Sequence, residues 1–345
     1  RRALALAKIS LGSMTMAYMG MLAAEGTISG GGPKDKDLLR IKKMTGWQPY
    51  SIHVGNEWIR YNRLETMGSL MGLAADAADI IGQLPDKDAM QLASALVVAI
   101  SRNTADKTFV KGLAGTMNAV SSKDINIVKS FLEKELPTIL PLSSLMGAIT
   151  RETDPVMREV NTILEAYQAK FPGYSSSLPP TRNLWGEPIL LEGGVGPDMI
   201  TPLYTSADKF DPVAEELVRL ELPIAMPSKN IEGVPLTGET GPWEYDAYVQ
   251  LAGGKPIIQD KTLRESLADL MKSDLYRHST DGPDGGKKVL ITGRITDYRS
   301  MAQHILTTPE LSQKYLGKEF PELVLHIHEK RQKNAQRFNA PVPTP

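Results

Sequence analysis

Tyr50-Ser-Ile-His-Val-Gly-Asn-Glu-Trp-Ile-Arg-Tyr61 is followed almost at once by Leu64-Glu-Thr-Met-Gly-Ser-Leu-Met-Gly-Leu-Ala-Ala-Asp-Ala-Ala-Asp-Ile-Ile-Gly-Gln-Leu84. Between the two stretches the apolar period changes from two to helical spacing, and that change decides the fold class. In the first, Ile52 and Val54 share one face of a strand, Ile59 and Tyr61 share one face of the next, and Gly55-Asn56 lies between them. This is the pattern of a hairpin closed by a two-residue turn, and it is the clearest β element in the chain. In the second, Gly68 and Gly72 form a Gly-x-x-x-Gly step that Ala75, Ala78 and Gly82 continue as a groove of small residues. Such a stripe lets helices approach closely. Asp76 and Asp79 keep this helix from being lipid-buried all round.

Working outward, the same small-residue style recurs. Ile9 to Ala24 carries no charge and mixes Gly12, Ala17 and Gly20 with Met14, Met16, Met19 and Met21. Its sixteen residues fall short of the roughly 20 that cross a bilayer. It reads as a buried helix within an assembly. Thr27 to Pro33 reads as a flexible break, and Lys34 to Met44 as a short charged helix. Further helices are expected at Ala89–Ile100, Phe109–Val120, Asp124–Leu136 and Asp154–Lys170, the last with Asp154 as cap and Pro155 in its first turn. Small side chains remove little apolar area from water. Close backbone contact must therefore supply much of the cohesion of these helices, and helix partners from other chains are expected.

Proline divides the chain. Six of the 24 precede residue 172 and twelve fall between Pro172 and Pro256. Since proline fixes φ and removes a backbone donor, long helices belong on either side of that stretch. The expected organisation is a helical region 1–171 with a hairpin near 50–61, a Pro-rich extended region 172–256, a helical region 257–338 and a tail 339–345. Within the middle, Asp211-Pro-Val-Ala-Glu-Glu-Leu217 is a capped helix, Ile224 to Pro235 is extended, and a helix starting at 236–240 carries Trp243, Tyr245 and Tyr248. Beyond it, Lys261 to Arg277 is amphipathic, Asp281 to Gly286 is a turn, and the segment from Lys288 opens as a strand before helical spacing sets in at Ile295. The fold class is mainly α: small-residue-rich helices, one short β hairpin and a Pro-rich extended middle.

Composition narrows the chemistry. The 345 residues hold 39 Lys and Arg against 40 Asp and Glu, a formal charge of -1, so no chain-wide basic field draws nucleic acid. There is no cysteine, which excludes disulfides, thiolate metal sites and cysteine nucleophiles. Asp281-Gly-Pro-Asp-Gly-Gly-Lys-Lys288 lacks phosphate-loop spacing, and Gly193-Gly-Val-Gly-Pro197 lacks the third glycine of a dinucleotide site. His326 and His328, two apart on a helix, point about 200° from each other and do not share a metal. Glu265-Ser266 reads as a solvated helix face. No cofactor and no catalytic residue is expected. The basic run Glu329-Lys-Arg-Gln-Lys-Asn-Ala-Gln-Arg337 makes Lys330, Arg331, Lys333 and Arg337 candidate nucleic-acid contacts, against the plainer reading of a solvated face.

One run is distinctive: Thr45-Gly-Trp-Gln-Pro-Tyr-Ser51, the hairpin, Tyr61-Asn-Arg-Leu-Glu65 and Met67-Gly-Ser-Leu-Met-Gly72. It resembles the C-terminal regions of the very large internal virion proteins of tailed phages, also called ejection or large polyvalent proteins. The preceding Met/Gly/Ala helix, Asp211 to Leu217, the Pro-rich stretch to Leu236-Thr237 and the segment from Tyr245 through Tyr248 to Gly253 fit the same pattern. The likeness covers most of the chain, and its specific part is residues 45–72. A first residue that is Arg rather than Met suits a piece of a longer polypeptide.

The resemblance implies a virion protein packaged near the portal vertex and released into the host cell envelope. There its copies assemble with one another and with other ejection, portal or tail proteins into a conduit for genome delivery. Genomic DNA and the host membrane are further implied partners. Trp47, Pro49, Tyr50, Trp58, Tyr61, Asn62, Arg63, Glu65, Gly68 and Gly72 are the motif residues expected to serve assembly and structure. The aromatics read as a packed hairpin face, and Arg63 and Glu65 as a local pair or helix cap. Two other readings stay open. One is a membrane-inserting module using Ile9–Ala24 and Leu64–Ile100; the other is an enzyme of unknown class.

Overall fold

The computed structural model describes residues 18–61, 65–82, 153–160, 173–191, 205–236, 241–282 and 285–338, with positions 165, 168, 169 and 171. The helices expected at Ala89–Ile100, Phe109–Val120 and Asp124–Leu136, and the 339–345 tail, lie outside these residues. The architecture is mainly α, with one three-stranded and one two-stranded antiparallel sheet among the described residues. The chain forms two compact units. One comprises Arg1–Pro155, Val160–Ser175 and Leu191–Phe210, the other Val156–Glu159, Ser176–Leu190 and Asp211–Pro345. The Pro-rich stretch thus supplies segments to both.

In the first unit, residues 18–24 are helical, α1 spans Lys36–Met44, and β1 (Ser51–Val54) pairs with β2 (Glu57–Arg60) ahead of α2 (Glu65–Gly82). Asp35 caps α1, its carboxylate accepting the Asp37 and Leu38 N–H groups at 2.8 and 3.0 Å. The hairpin register sets Ile52 opposite Ile59 and His53 opposite Trp58. Gly55 takes φ +64°, the glycine-first order of a type II′ turn, whose twist matches the strands. Two features go beyond the expectation. Strand β3 (Thr205–Ala207) adds to β2 from far along the chain. Thr27 to Pro33 is no free break: Ile28 bridges Ile52, and the Ser29 and His53 N–H groups donate to Ser51 O and Thr27 O, both at 2.8 Å.

The second unit is built around α7 (Gly286–Thr307). Against it pack α4 (Gly241–Val249), the π-helix Gln250–Gly254, α5 (Leu263–Lys272), α6 (Asp274–Arg277) and α8 (Pro309–Leu316). Before them come α3 (Pro212–Arg219) and the small hairpin β4 (Asn230–Ile231) and β5 (Val234–Pro235); α9 (Pro321–Phe338) packs on β5. Ile291, Ile295, Tyr298, Ala302 and Ile305 recur every three or four residues along α7 and are buried. That spacing overrides the strand expected from Lys288, and the helix runs unbroken from Gly286. Leu217, Leu251, Leu263 and Leu267 complete the core. As expected, Asp211 caps α3: its carboxylate accepts the Ala214 N–H and also the Trp185 Nε1–H, at 3.1 and 2.6 Å.

Three local expectations are corrected. Asp154 does not start a helix. Val156 and Arg158 run extended, bridging Leu190 and Pro180, and the Asp154 carboxylate instead accepts the Ser175 hydroxyl at 2.6 Å. The stretch Lys261–Arg277 is two helices, because Ser273 ends α5 and its hydroxyl caps α6. Glu265 and Ser266 are not merely a solvated face. Glu265 forms a capping box with Thr262, and Ser266 is buried, accepting from Arg294 Nη1 at 2.9 Å.

Candidate functional site

The 45–72 motif folds into the centre of the first unit. The four aromatics fall on two faces of the hairpin, where a single packed face had been expected, because strand alternation turns Trp58 and Tyr61 to opposite sides and Trp47 and Tyr50 pack one against each. On one face Trp58 stacks on His53 with ring centroids 4.5 Å apart, and Trp47 meets Trp58 edge-on at 6.3 Å. On the other Tyr50 meets Tyr61 edge-on at 6.5 Å. Such edge-on pairs are favoured because the positive ring edge meets the negative face. Trp47, Trp58 and Tyr61 are all buried. Lys42 places its ammonium 4.3 Å from the Trp47 ring centre, and burial lowers its pKa against the opposing pull of Asp79.

The first face is tied to β3. Asp208 accepts the Trp58 Nε1–H at 2.9 Å through one oxygen and lies 2.8 Å from His53 Nε2 through the other. Gly46, the first glycine of the motif, is fixed by the backbone that passes it. Its φ is +88°, and a Cβ there would lie 2.3 Å from the Ala207 carbonyl oxygen. Only glycine lets β3 pass so closely.

The second face leads into a buried polar knot. Ser29 Oγ donates to Gln48 O at 2.6 Å and accepts the Ser51 N–H at 2.9 Å. The Tyr61 hydroxyl donates to Ser29 O at 2.7 Å. Asp76 of α2 is 0% exposed; it accepts the Gly31 N–H at 2.7 Å and the Tyr50 hydroxyl at 3.3 Å. A Cβ on Gly30 would come within 2.5 Å of the same carboxylate. Burial, with the charges of Asp76 and Asp79, pushes the Tyr61 hydroxyl far above the ordinary tyrosine range, so it stays a donor. Arg60 Nη2, on the central strand β2, donates to Gln48 Oε1 at 2.8 Å.

Of the remaining motif residues, Pro49 sits in the turn before β1, and Gly68 and Gly72 are buried along α2 beside Met71, Ala74 and Ala75. Met71 and Ala75 join Ala23, Ile28 and Tyr61 in one apolar cluster. Asn62 and Arg63 lie outside the described residues. Glu65 opens α2, with its side chain outside them too. Sequence reasoning missed Ser29, Gln48, Ser51 and Asp208, and read Asp76 only as a charge on a helix. The run Gly30-Gly-Gly32 was the available signal, since bare backbone can press its N–H groups onto a carboxylate.

The basic run lies on α9. Arg331 is spent in part on the β4–β5 turn, donating through Nε and Nη2 to Glu232, both at 2.6 Å. Arg331 holds the Glu232 carboxyl below the usual range. Lys330 lies over Gly233. Lys330 and Lys333 are exposed, and so are His326 and His328. Among the described residues no three His, Asp or Glu side chains are placed to hold a metal ion, and no helix is long and apolar enough to cross a membrane. No protein family, curated protein or solved structure matches this chain.

Proposed function

We propose that this chain is a structural subunit of a phage internal virion, or ejection, complex. In this reading it self-associates and helps form the conduit that carries the genome into the host cell, without catalysis of its own. It is held in the virion near the portal, contacts other ejection, portal or tail proteins, and passes into the host envelope on infection. The observation that carries the reading is the 45–72 motif. Its distinctive aromatics are consumed in internal packing, as suits a scaffold and not a substrate pocket. The composition of the Met-rich stretch from Met14 to Met21 suits the adaptable contacts that multi-copy assemblies use, while Gly68 and Gly72 serve packing within the unit.

Mass spectrometry of purified virions, with cryo-microscopy of the portal vertex, tests the proposal. The expected result is several copies of the chain per particle and helical density near the portal. Absence from the virion, or a solitary monomer that turns over a small metabolite, would overturn it. Liposome flotation separates the membrane-inserting alternative. Insertion of α2 would have to expose Asp76 to lipid and break its bonds to Gly31 and Tyr50, so the folded chain is expected to stay unbound.

A further inference from the structure

Helix α9 is packed through one half only. Leu323 and Ile327 are buried, the helix packs on β5, Arg331 pairs with Glu232, and the carbon stem of exposed Lys330 lies over Gly233. Every residue from Glu329 to Asn334 is exposed. The chain nevertheless continues as helix to Phe338. The packed first half supplies the helix nucleus, and the Lys, Arg, Gln and Ala residues that follow favour its propagation, so the arm is held out as helix past the packed part.

The composition of the arm says which partner. From Glu329 to Arg337 the one apolar residue is Ala335, and Phe338 at the very end of the helix stands without an i, i+3, i+4 set, so the arm has neither the row of anchors that a hydrophobic groove takes nor a face to sink into a bilayer. It carries Lys330, Arg331, Lys333 and Arg337 against a single acid, Glu329, in a chain whose overall charge is only -1. Positions 330, 333 and 337 are three and seven residues apart, which places them within about 60° of one another on the helix and along about 10 Å of its length. Asn334 falls about 40° from Lys330 on the same side of the helix, adding an amide donor of the kind that meets phosphate oxygens.

We infer that the distal half of α9 is a docking arm for the phosphate backbone of nucleic acid, with Lys330, Lys333 and Arg337 as the contacting cations and the Arg331–Glu232 pair as the strut that aims it. The inference goes beyond the assembly reading, because the arm can bind in a chain that forms no conduit and a conduit can form without it.

Fluorescence anisotropy of the full chain with a labelled duplex DNA of mixed sequence, across a KCl series, tests it. Binding is expected to be sequence-indifferent and to weaken with salt, the slope of log affinity against log salt lying at about -2 to -3 for two or three neutralised phosphates. Joint replacement Lys330→Gln, Lys333→Gln and Arg337→Gln is expected to cost at least about tenfold in affinity at low salt and to flatten the slope toward zero. Circular dichroism checks that this variant keeps its helix content. If it does not fold, Lys333→Glu alone, at an exposed position, is expected to weaken binding and reduce the slope. Wild-type affinity in the folded triple variant, or in Lys333→Glu where the triple does not fold, would sink the inference. So would no binding at low salt, or equal capture by polyglutamate or by anionic vesicles.

Discussion

The two units are held by opposite means. The centre of the first is polar: Ser29, Gln48, Ser51 and Asp76 are buried together and bonded to backbone or to tyrosine hydroxyls, with a modest apolar cluster beside them. The second is centred on leucine, isoleucine and tyrosine from α3, α5, α7 and the π-helix, and its buried ion pair, Arg182 with Asp246 at 2.6 Å, ties a loop to α4. Apolar burial supplies energy with little directional demand. A buried hydrogen-bonded knot supplies less net energy but tolerates few alternative arrangements, because each displaced partner leaves an unsatisfied group. In an Ala- and Gly-rich unit that buries small side chains, the knot selects the arrangement that packing alone would specify weakly.

That contrast can be broken in graded ways. The largest effect is expected from Leu267→Ala, which opens a cavity in the second unit and should cost about 3 kcal/mol of stability in urea titrations. Hydrogen exchange read unit by unit should report the loss in the second unit; equal loss of protection in both would contradict the separation. Asp76→Ala follows, at about 2–3 kcal/mol, since it leaves the Gly31 N–H and the Tyr50 hydroxyl without their carboxylate. Asp76→Asn should recover part of that, and a neutral result for Asp76→Ala would mean the knot is decorative. Gly46→Ala is expected to cost about 1–3 kcal/mol through its positive φ and the Ala207 carbonyl, with faster exchange in β2 and β3. Trp58→Phe loses the bond to Asp208 together with part of the buried ring's volume, about 1–2 kcal/mol.

The smallest effect is a pH effect in the second unit. Glu244 is buried, and its carboxyl pKa is raised, first by desolvation and then by the charge of Glu322, with His326 acting in the opposite sense. The fold favours its neutral form. The stability linked to it is complete below the ordinary glutamate value of about 4.3 and is lost as pH rises through the raised value. Glu244→Gln should therefore raise Tm at neutral pH and change little below about pH 4. A gain of the same size at both would assign the effect to packing and not to charge.

Much of this was legible before any coordinates. The α2 helix, the Asp211 cap, the Gly55-Asn56 turn and the mainly α character follow from spacing and local chemistry within a few residues. What spacing cannot carry is a partner far along the chain. Asp208 reaches Trp58 across 150 residues, and β3 pairs with β2 over the same gap. Asp154 carries a cap's sequence but binds Ser175, since the extended pairing of Val156 and Arg158 outcompeted a local helix.

Sequence by itself determined most of the helices and the hairpin, because helix caps, turn glycines and apolar periods act over a few residues through backbone sterics and local hydrogen bonds. Only the tertiary structure decided which polar groups are buried and with whom. A carboxylate such as Asp76 looks the same on a solvated helix as in a core until Gly30 and Gly31 close over it, and the desolvation that makes those bonds matter exists only once the chain has packed.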